Sequence, residues 1–143
     1  MPIEFVSGDP LQTTAQVLAF GHNARGRSEL GDTETRLMQT YPPAFAMYGR
    51  LCRSGRIKSG DLWIWRENKP HLMFMVVRES SVGATRLRYV QSVAIRIARE
   101  YSLLGISSLA IAPLGNHYEW DEIRQVLTMW FAKSNLDVTV YEP

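Results

Sequence analysis

The stretch that decides the fold is SSLAIAPLGNHYEW, residues 107–120. It opens with a short apolar run, SSLAIA at 107–112, which favours a buried strand. Pro-Leu-Gly-Asn at 113–116 then leads directly into a helical pattern. A strand that ends in such a turn before a helix exposes the free N–H groups of the helix N-terminus, which suit a phosphate. The turn therefore indicates either an anion-binding site or a simple change of chain direction.

Strand and helix patterns alternate on both sides of this stretch. Short apolar runs predict strands at 3–6, 16–20, 61–65, 71–77, 107–112 and 137–141. Amphipathic and proline-bounded patterns predict helices at 33–41, 43–53, 85–105 and 119–134. The glycine-rich segment 21–32 predicts a long exposed loop, with Asp32 as the N-cap of the helix that follows. This order predicts an α/β fold with a mixed, mostly parallel sheet covered by helices.

Length and composition are ordinary for a globular protein. The 143 residues fit one domain, 1–143. A single cysteine, Cys52, excludes an intramolecular disulfide, which suits a reducing compartment. The N-terminal segment carries an acid and lacks a long apolar run, so it does not resemble a secretory signal. No apolar run approaches the roughly 20 residues of a membrane helix. We therefore expect a cytoplasmic protein that makes no membrane contact.

The charged residues are mostly balanced, with a net charge of +2. Arginines are concentrated in two segments, 50–58 and 86–99. Such clusters usually form solvated helix faces, although a basic patch can also contact a polyanion such as nucleic acid. The scattered histidines show no metal-ligand spacing, so neither a metal nor another cofactor is expected.

Several polar residues fall in loops predicted at the carboxyl ends of strands, where ligands bind in sheets of this kind. Asp9 could accept a hydrogen bond from an exocyclic amine such as that of adenine, or it could simply form the turn. Asn23 could bind ribose hydroxyls, or it could belong to a flexible surface loop. His117 could act as a general base, or it could be an ordinary polar loop residue.

Four segments resemble, in order, those of a macrodomain. They are IEFVSGDPLQTTAQVLAF at 3–20, LGDTETRLMQTYPPAFAMYGRLCRSGRIKSGDLWIW at 30–65, SSLAIAPLGN at 107–116 and WDEIRQVLTMWFAKSNLDVTVYEP at 120–143. The second segment is similar to the branch of macrodomains that remove ADP-ribose from DNA bases or glutamate side chains. The resemblance covers most of the chain and implies a three-layer α/β/α fold with a cleft for ADP-ribose.

The resemblance also implies ligand contacts along the chain. Asp9, after Gly8, would hold the adenine amine, and Tyr141 would pack near the adenine. Gly31 and Asn23 would lie near the distal ribose. Backbone N–H groups of the turn before the last helix would wrap the diphosphate, with His117 beside them; the residues of that turn are Leu114, Gly115 and Asn116.

Two departures from the family pattern concern catalysis. Active members of this branch carry a nucleophilic lysine where this chain has Arg78, and a guanidinium is never deprotonated in a protein. The acidic residue of their second glycine-rich loop has no counterpart. The candidate catalytic residues that remain are His117, Glu79 and Asn23. These departures favour a module that binds ADP-ribose or an ADP-ribosylated macromolecule without chemistry. The alternative is an ADP-ribosyl hydrolase acting on nucleic acid, protein or a small ester.

Overall fold

The computed structural model describes residues 3–29 and 31–143. Their strands are β1 (Ile3–Val6), β2 (Val17–Asn23), β3 (Leu62–Trp65), β4 (His71–Arg78), β5 (Ser108–Ile111) and β6 (Asp137–Tyr141). Their α-helices are α1 (Asp32–Thr40), α2 (Pro42–Arg53), α3 (Leu87–Glu100) and α4 (His117–Phe131), and a single 3-10 turn spans Pro10–Gln12. The predicted order of strands and helices is confirmed.

The strands form one sheet in the order β1-β6-β5-β2-β4-β3. Every neighbouring pair is parallel except β3 and β4, which form the predicted antiparallel hairpin. The predicted fold class, α/β with a mixed and mostly parallel sheet, is therefore confirmed. Because the parallel strands share one direction, the loop segments 7–9, 24–29, 79–86 and 112–116 gather at a single edge of the sheet.

The central strands are apolar over most of their length, as at 17–20 in β2 and 72–77 in β4, because both faces of the sheet are covered. Side chains alternate between two cores: Val17 and Ala19 face one, and Leu18 and Phe20 face the other. Helices α3 and α4 pack on the first core, and α1 and α2 on the second. This is a three-layer α/β/α arrangement. Each helix within the described ranges is too short or too polar to cross a membrane.

Strand β2 is longer than predicted, and the predicted loop 21–32 is correspondingly shorter. His22 and Asn23 continue the strand and are buried, 2% and 0% exposed. Their polar groups are paired by hydrogen bonds that hydropathy alone does not reveal. Residue 30 lies outside the described residues. The predicted Asp32 cap is wrong, because Gly31 occupies the N-cap position and Asp32 begins the helix.

Helix α4 begins two residues earlier than predicted, at His117. Asn116 caps it, and its side chain accepts hydrogen bonds from the amides of Tyr118 and Glu119. The Glu119 side chain returns to the Asn116 amide and completes a capping box. Glu119 is consequently the acid of the first turn.

Candidate functional site

An open cleft of about 590 Å³ lies at the edge where the parallel strands end. The loops after β2, β4 and β5 and the first turns of α1 and α4 form its walls. Two of these walls are helix N-termini, which carry partial positive charge. The residues that line it are Glu29, Gly31, Asp32, Thr33, Glu34, Arg78, Ser81, Val82, Gly83, Ala84, Thr85, Pro113, Gly115, Asn116 and Glu119.

A nearly buried ion pair joins two walls of the cleft. Arg78, the last residue of β4, donates from Nη2 to Glu29 Oε1 at 2.6 Å and from Nε to Glu29 Oε2 at 3.2 Å. The two side chains are only 11% and 9% exposed. Nη1 of Arg78 donates to the Thr85 hydroxyl at 2.9 Å. These bonds use three of the five guanidinium N–H groups, so two remain for an anionic ligand.

Asn23 fixes the position of Glu29 through a hydrogen bond. Its Nδ2 donates to Glu29 Oε2 at 2.8 Å and to the Arg27 carbonyl at 2.9 Å. Its Oδ1 accepts from the amides of Arg25 and Arg27, each at 3.1 Å. Every polar group of this amide side chain therefore has a partner in its own loop. Asn23 is not among the cleft-lining residues and acts as a support for the loop, whereas the resemblance implies contact with a ribose.

The support continues into the second core. The buried Tyr48 hydroxyl of α2 donates to the Asn23 carbonyl at 2.8 Å. Burial, reinforced by the charge of Arg78, lowers the pKa of His22 to about 3, so the ring is neutral. A neutral ring lets Nδ1 accept from the Asn23 amide at 2.8 Å. The approach of this ring to Glu29, 3.6 Å between Nδ1 and Oε2, is consequently not an ion pair.

The turn between β5 and α4 presents unpaired backbone donors. Among the described residues, the amides of Leu114 and Gly115 donate to no protein acceptor. Pro113 and Gly115, on either side of Leu114, line the cleft, whereas Leu114 itself is 1% exposed and is not among the lining residues. The Asn116 amide is different, because it donates to Glu119 Oε1 at 2.9 Å. Of the turn residues expected to hold a diphosphate, two therefore have free amides, while the Asn116 amide is already bound to a carboxylate.

Gly115 is the residue that allows this turn. Its φ is +72°, in the left-handed region that side chains disfavour. A Cβ here would also lie 2.8 Å from both Glu119 Oε1 and Ile123 Cδ1. A larger residue would be strained at this φ and would push aside the ends of the Glu119 and Ile123 side chains.

Glu34 lies in the first turn of α1 and faces the cleft. Burial raises the pKa of its carboxyl, and the negative charges of Glu29 and Asp32 act in the same direction. The charge of Arg78 opposes them but does not prevail. The cleft thus holds two kinds of carboxyl group: Glu29, paired with a guanidinium, and Glu34, which retains its proton more readily than an ordinary glutamate.

The residues expected around adenine form a separate group at the ends of β1 and β6. Asp9 Oδ2 accepts from Arg36 Nη2 at 2.7 Å, and Oδ1 accepts from Nη1 and from the Leu11 amide. The Arg36 hydrogen bond, followed by that of the Leu11 amide, lowers the pKa of Asp9. A Cβ on Gly8 would lie 4.0 Å from the ring of Tyr141. Arg36 also contacts Asp32 of the cleft at 3.5 Å and so links this group to the cleft.

The candidate general bases lie outside the cleft lining. His117 is exposed at the first position of α4. Glu79 is 57% exposed and accepts a hydrogen bond from the Tyr89 hydroxyl at 2.6 Å. That hydrogen bond lowers the pKa of Glu79, which makes it a weaker base. The sequence pattern missed Glu29 and Glu34, two of the four acids that line the cleft. Both acids lie close to Gly31 in the sequence. This closeness points to the cleft only once the fold is known.

Fold and site together define a class of protein: an α/β domain with an open polar cleft at the carboxyl edge of its sheet. The chain has the macrodomain fold. It is similar to the macrodomain of Thermus aquaticus DarG, with a TM-score of 0.90 and 21% identity over 99% of this chain and 98% of that one. For the macrodomain of Mycobacterium tuberculosis DarG the TM-score is 0.88 at 23% identity, over 99% and 97% of the two chains.

Two further relatives carry functional names. Thermosipho africanus DarTG in complex with ADP-ribose matches with a TM-score of 0.90 and 19% identity, over 99% of this chain and 41% of that one. The DNA ADP-ribosyl glycohydrolase of Mycobacterium tuberculosis is 24% identical, over 99% of this chain. The chain spans 42% of the length of that curated relative. No family model matches the chain.

Proposed function

We propose that the cleft binds ADP-ribose, with the diphosphate on the amides of Leu114 and Gly115. The observation that carries this proposal is the pair of unpaired amides at the N-terminus of a 15-residue helix. Backbone N–H groups at such a position bind phosphate through directed hydrogen bonds and the helix dipole. The two unused guanidinium N–H groups of Arg78 supply a further positive contact from the opposite wall.

The remaining parts of the ligand follow from the position of the diphosphate. The distal ribose extends toward Gly31 and the loop that carries Glu29. Adenine extends toward the group of Gly8, Asp9 and Tyr141. Because Arg36 holds both oxygens of Asp9, the adenine amine shares this carboxylate with the guanidinium. A carboxylate has about four lone-pair positions, so both donors can be accommodated.

The charge of the cleft limits the affinity. Its lining carries four acids, Glu29, Asp32, Glu34 and Glu119, against the single cation Arg78. Glu119 also occupies the Asn116 amide, which a fully open turn would offer to phosphate. We therefore expect micromolar rather than nanomolar binding, a difference of about 4 kcal/mol.

The names of the similar proteins support ADP-ribose as the ligand. They also indicate the kind of macromolecule to which the ADP-ribose is attached. A DarTG structure with the same fold is described as a complex with ADP-ribose, and the curated relatives are named DNA ADP-ribosyl glycohydrolases. The partner that we infer for this chain is accordingly ADP-ribose, either free or attached to nucleic acid.

Calorimetric titration of the purified protein with ADP-ribose tests the proposal, with AMP as the control ligand. A saturable micromolar signal for ADP-ribose and a weaker one for AMP are expected, because AMP offers one phosphate to the turn. Equal affinity for the two nucleotides would show that the diphosphate does not contribute to binding. Absence of binding to both would refute the proposal.

A second candidate function is hydrolysis of the bond between ADP-ribose and its carrier, and Glu34 is the observation that favours it. Arg78 cannot act as the nucleophile, since its guanidinium stays protonated. In a direct displacement, a water oxygen bonds to the anomeric carbon as the bond to the carrier breaks. Protonated Glu34 gives its proton to the leaving atom, and the water proton passes to Glu29.

Release of ADP-ribose from an ADP-ribosylated oligonucleotide tests this second candidate. If the protein hydrolyses the bond, Glu34→Gln should lower the rate by about 10²-fold or more, with ADP-ribose affinity retained. Glu122→Gln, an exposed substitution of the same type in α4, is the matched control. A wild-type protein that releases no ADP-ribose would exclude hydrolysis and leave binding as the function.

A further inference from the structure

A second concave surface lies behind the loop that borders the cleft. Arg25, Gly26 and Arg27 form one side of it, and Cys52 and Arg53 at the end of α2 form the other. We call this surface the arginine groove. Its volume is about 370 Å³, and its lining contains no acid and no aromatic side chain. All three arginines are exposed.

The arginines of this groove differ from half of the other ten arginines in the chain. Arg36, Arg78, Arg88, Arg96 and Arg124 each form an ion pair with a carboxylate. Within residues 3–29 and 31–143, no carboxylate lies within 4.0 Å of the side-chain nitrogens of the groove arginines, nor of Arg50 and Arg56 nearby. The groove is therefore a concentrated positive surface whose arginines form no ion pair with a carboxylate of the described residues.

The backbone that carries two of these arginines is held firmly. Asn23 Oδ1 accepts hydrogen bonds from the amides of both Arg25 and Arg27. Gly26 between them has a φ of +66°, and a Cβ there would lie 2.9 Å from the Gly49 Cα of α2. The loop is thus packed against the helix that supplies Arg53. Little backbone entropy therefore remains to be lost when a ligand bridges the two sides.

The groove and the cleft share one short segment. Arg25 is four residues from Glu29, which caps their Cα separation at about 14 Å for an extended chain. A molecule anchored in the cleft through ADP-ribose can therefore reach the groove with the part of the carrier next to the attachment point.

We propose that the arginine groove binds the phosphodiester backbone of a nucleic-acid strand whose ADP-ribosylated nucleotide enters the cleft. This inference rests on the proposed function, since it assigns the carrier of the ADP-ribose. Guanidinium groups match phosphate through paired hydrogen bonds. An acidic peptide would also satisfy the charge, but its side chains would find no apolar contact among the groove residues.

Fluorescence anisotropy with a labelled, unmodified oligothymidylate tests the groove directly. Each phosphate contact on a single strand contributes about −0.7 to the slope of log affinity against log salt. The triple variant R25A/R27A/R53A should lose about two from the magnitude of that slope and bind at least about tenfold more weakly at low salt. The control variant K69A/R99A/K133A removes the same charge from exposed positions and should bind like the wild type.

Two further measurements separate the groove from the cleft. Free ADP-ribose should bind the triple variant with wild-type affinity, because the groove arginines do not line the cleft. If the wild type bound oligothymidylate normally but did not bind ADP-ribose, the proposed function would be refuted. The groove proposal would still hold. Equal loss of oligothymidylate binding in the triple and control variants would overturn the groove proposal. So would competition by polyglutamate as effective as that by unlabelled oligothymidylate.

Discussion

At the scale of single residues, the turn before α4 brings a carboxylate of the protein close to the place proposed for the ligand's diphosphate. Glu119 closes the capping box by accepting from the Asn116 amide at 2.9 Å. A bound diphosphate would approach the same helix end. The cap stabilises α4 but places a negative charge where the ligand's charge must come. Stability and affinity are therefore opposed at this one carboxylate.

Glu119→Ala should separate the two effects. Loss of the cap lowers the free energy of unfolding by about 0.5–1 kcal/mol. Loss of the charge and release of the amide should raise ADP-ribose affinity by about two- to fivefold. Urea denaturation and calorimetry measure the two quantities. Glu119→Gln keeps a capping side chain and should gain affinity with little loss of stability. Weaker binding by Glu119→Ala than by Glu122→Ala would contradict this account.

Glu34 predicts a pH dependence. Burial raises the pKa of this carboxyl above its ordinary value of 4.5, so the folded protein holds the proton more tightly than the unfolded chain. The contribution of Glu34 to stability is greatest below 4.5 and declines as pH rises through the folded-state pKa. ADP-ribose affinity should fall in the same direction, because the ionised form repels phosphate.

Glu34→Gln should remove this dependence from both quantities. Thermal unfolding and ligand titration between pH 4 and pH 8 measure it. The difference in unfolding temperature between the variant and the wild type should widen in favour of the variant as pH rises. A constant difference across that range would show that the carboxyl does not titrate there.

At the scale of elements, the carboxyl end of β2 determines the shape of both concave surfaces. Asn23 binds Glu29 on the cleft side and the amides of Arg25 and Arg27 on the groove side. Tyr48 fixes the Asn23 carbonyl from α2. One strand end therefore positions the ion pair of the cleft and the backbone of the arginine groove.

Asn23→Ala distinguishes a support from a ligand contact. Its loss leaves the amides of Arg25 and Arg27 without a partner and removes one hydrogen bond from Glu29, which keeps its pair with Arg78, so the free energy of unfolding should drop by about 2–4 kcal/mol. Denaturant titration measures this value. Tyr48→Phe, which removes one supporting hydrogen bond, should cost about 1 kcal/mol. An Asn23→Ala protein of wild-type stability that had lost ADP-ribose affinity would support the ribose contact instead.

The fold was more accessible to sequence analysis than the site. The apolar runs of β4 and β5 predict strands covered on both faces, because that pattern depends on local composition alone. The polar end of β2 reads as loop, because its burial depends on partners distant in the chain. The Tyr48 bond to Asn23 spans 25 residues, and the Arg78 pair with Glu29 spans 49. The family resemblance identifies Gly31, Gly115 and Asn116 as residues near the ligand, and all three line the cleft. It does not identify the acids that line the cleft beside them.

At the scale of the whole molecule, the parallel sheet gathers four loops at one edge and two helix pairs hold them there. One side of the resulting edge is a cleft with free amides, and the other is a groove of unpaired arginines. The intervening segment, 25–29, belongs to both. This arrangement suits a ligand in which ADP-ribose is attached to a polyanion, although the chain's net charge is only +2.

The central claim is that the diphosphate of ADP-ribose rests on the amides of Leu114 and Gly115, and amide NMR tests it most directly. Titration of the ¹⁵N-labelled protein with ADP-ribose should shift the resonances of these two residues with a single saturation curve. Smaller shifts should follow at Gly31 and Thr85, on the other walls of the cleft. Saturable binding that left the Leu114 and Gly115 resonances unmoved would contradict the account, because the ligand would then occupy another surface.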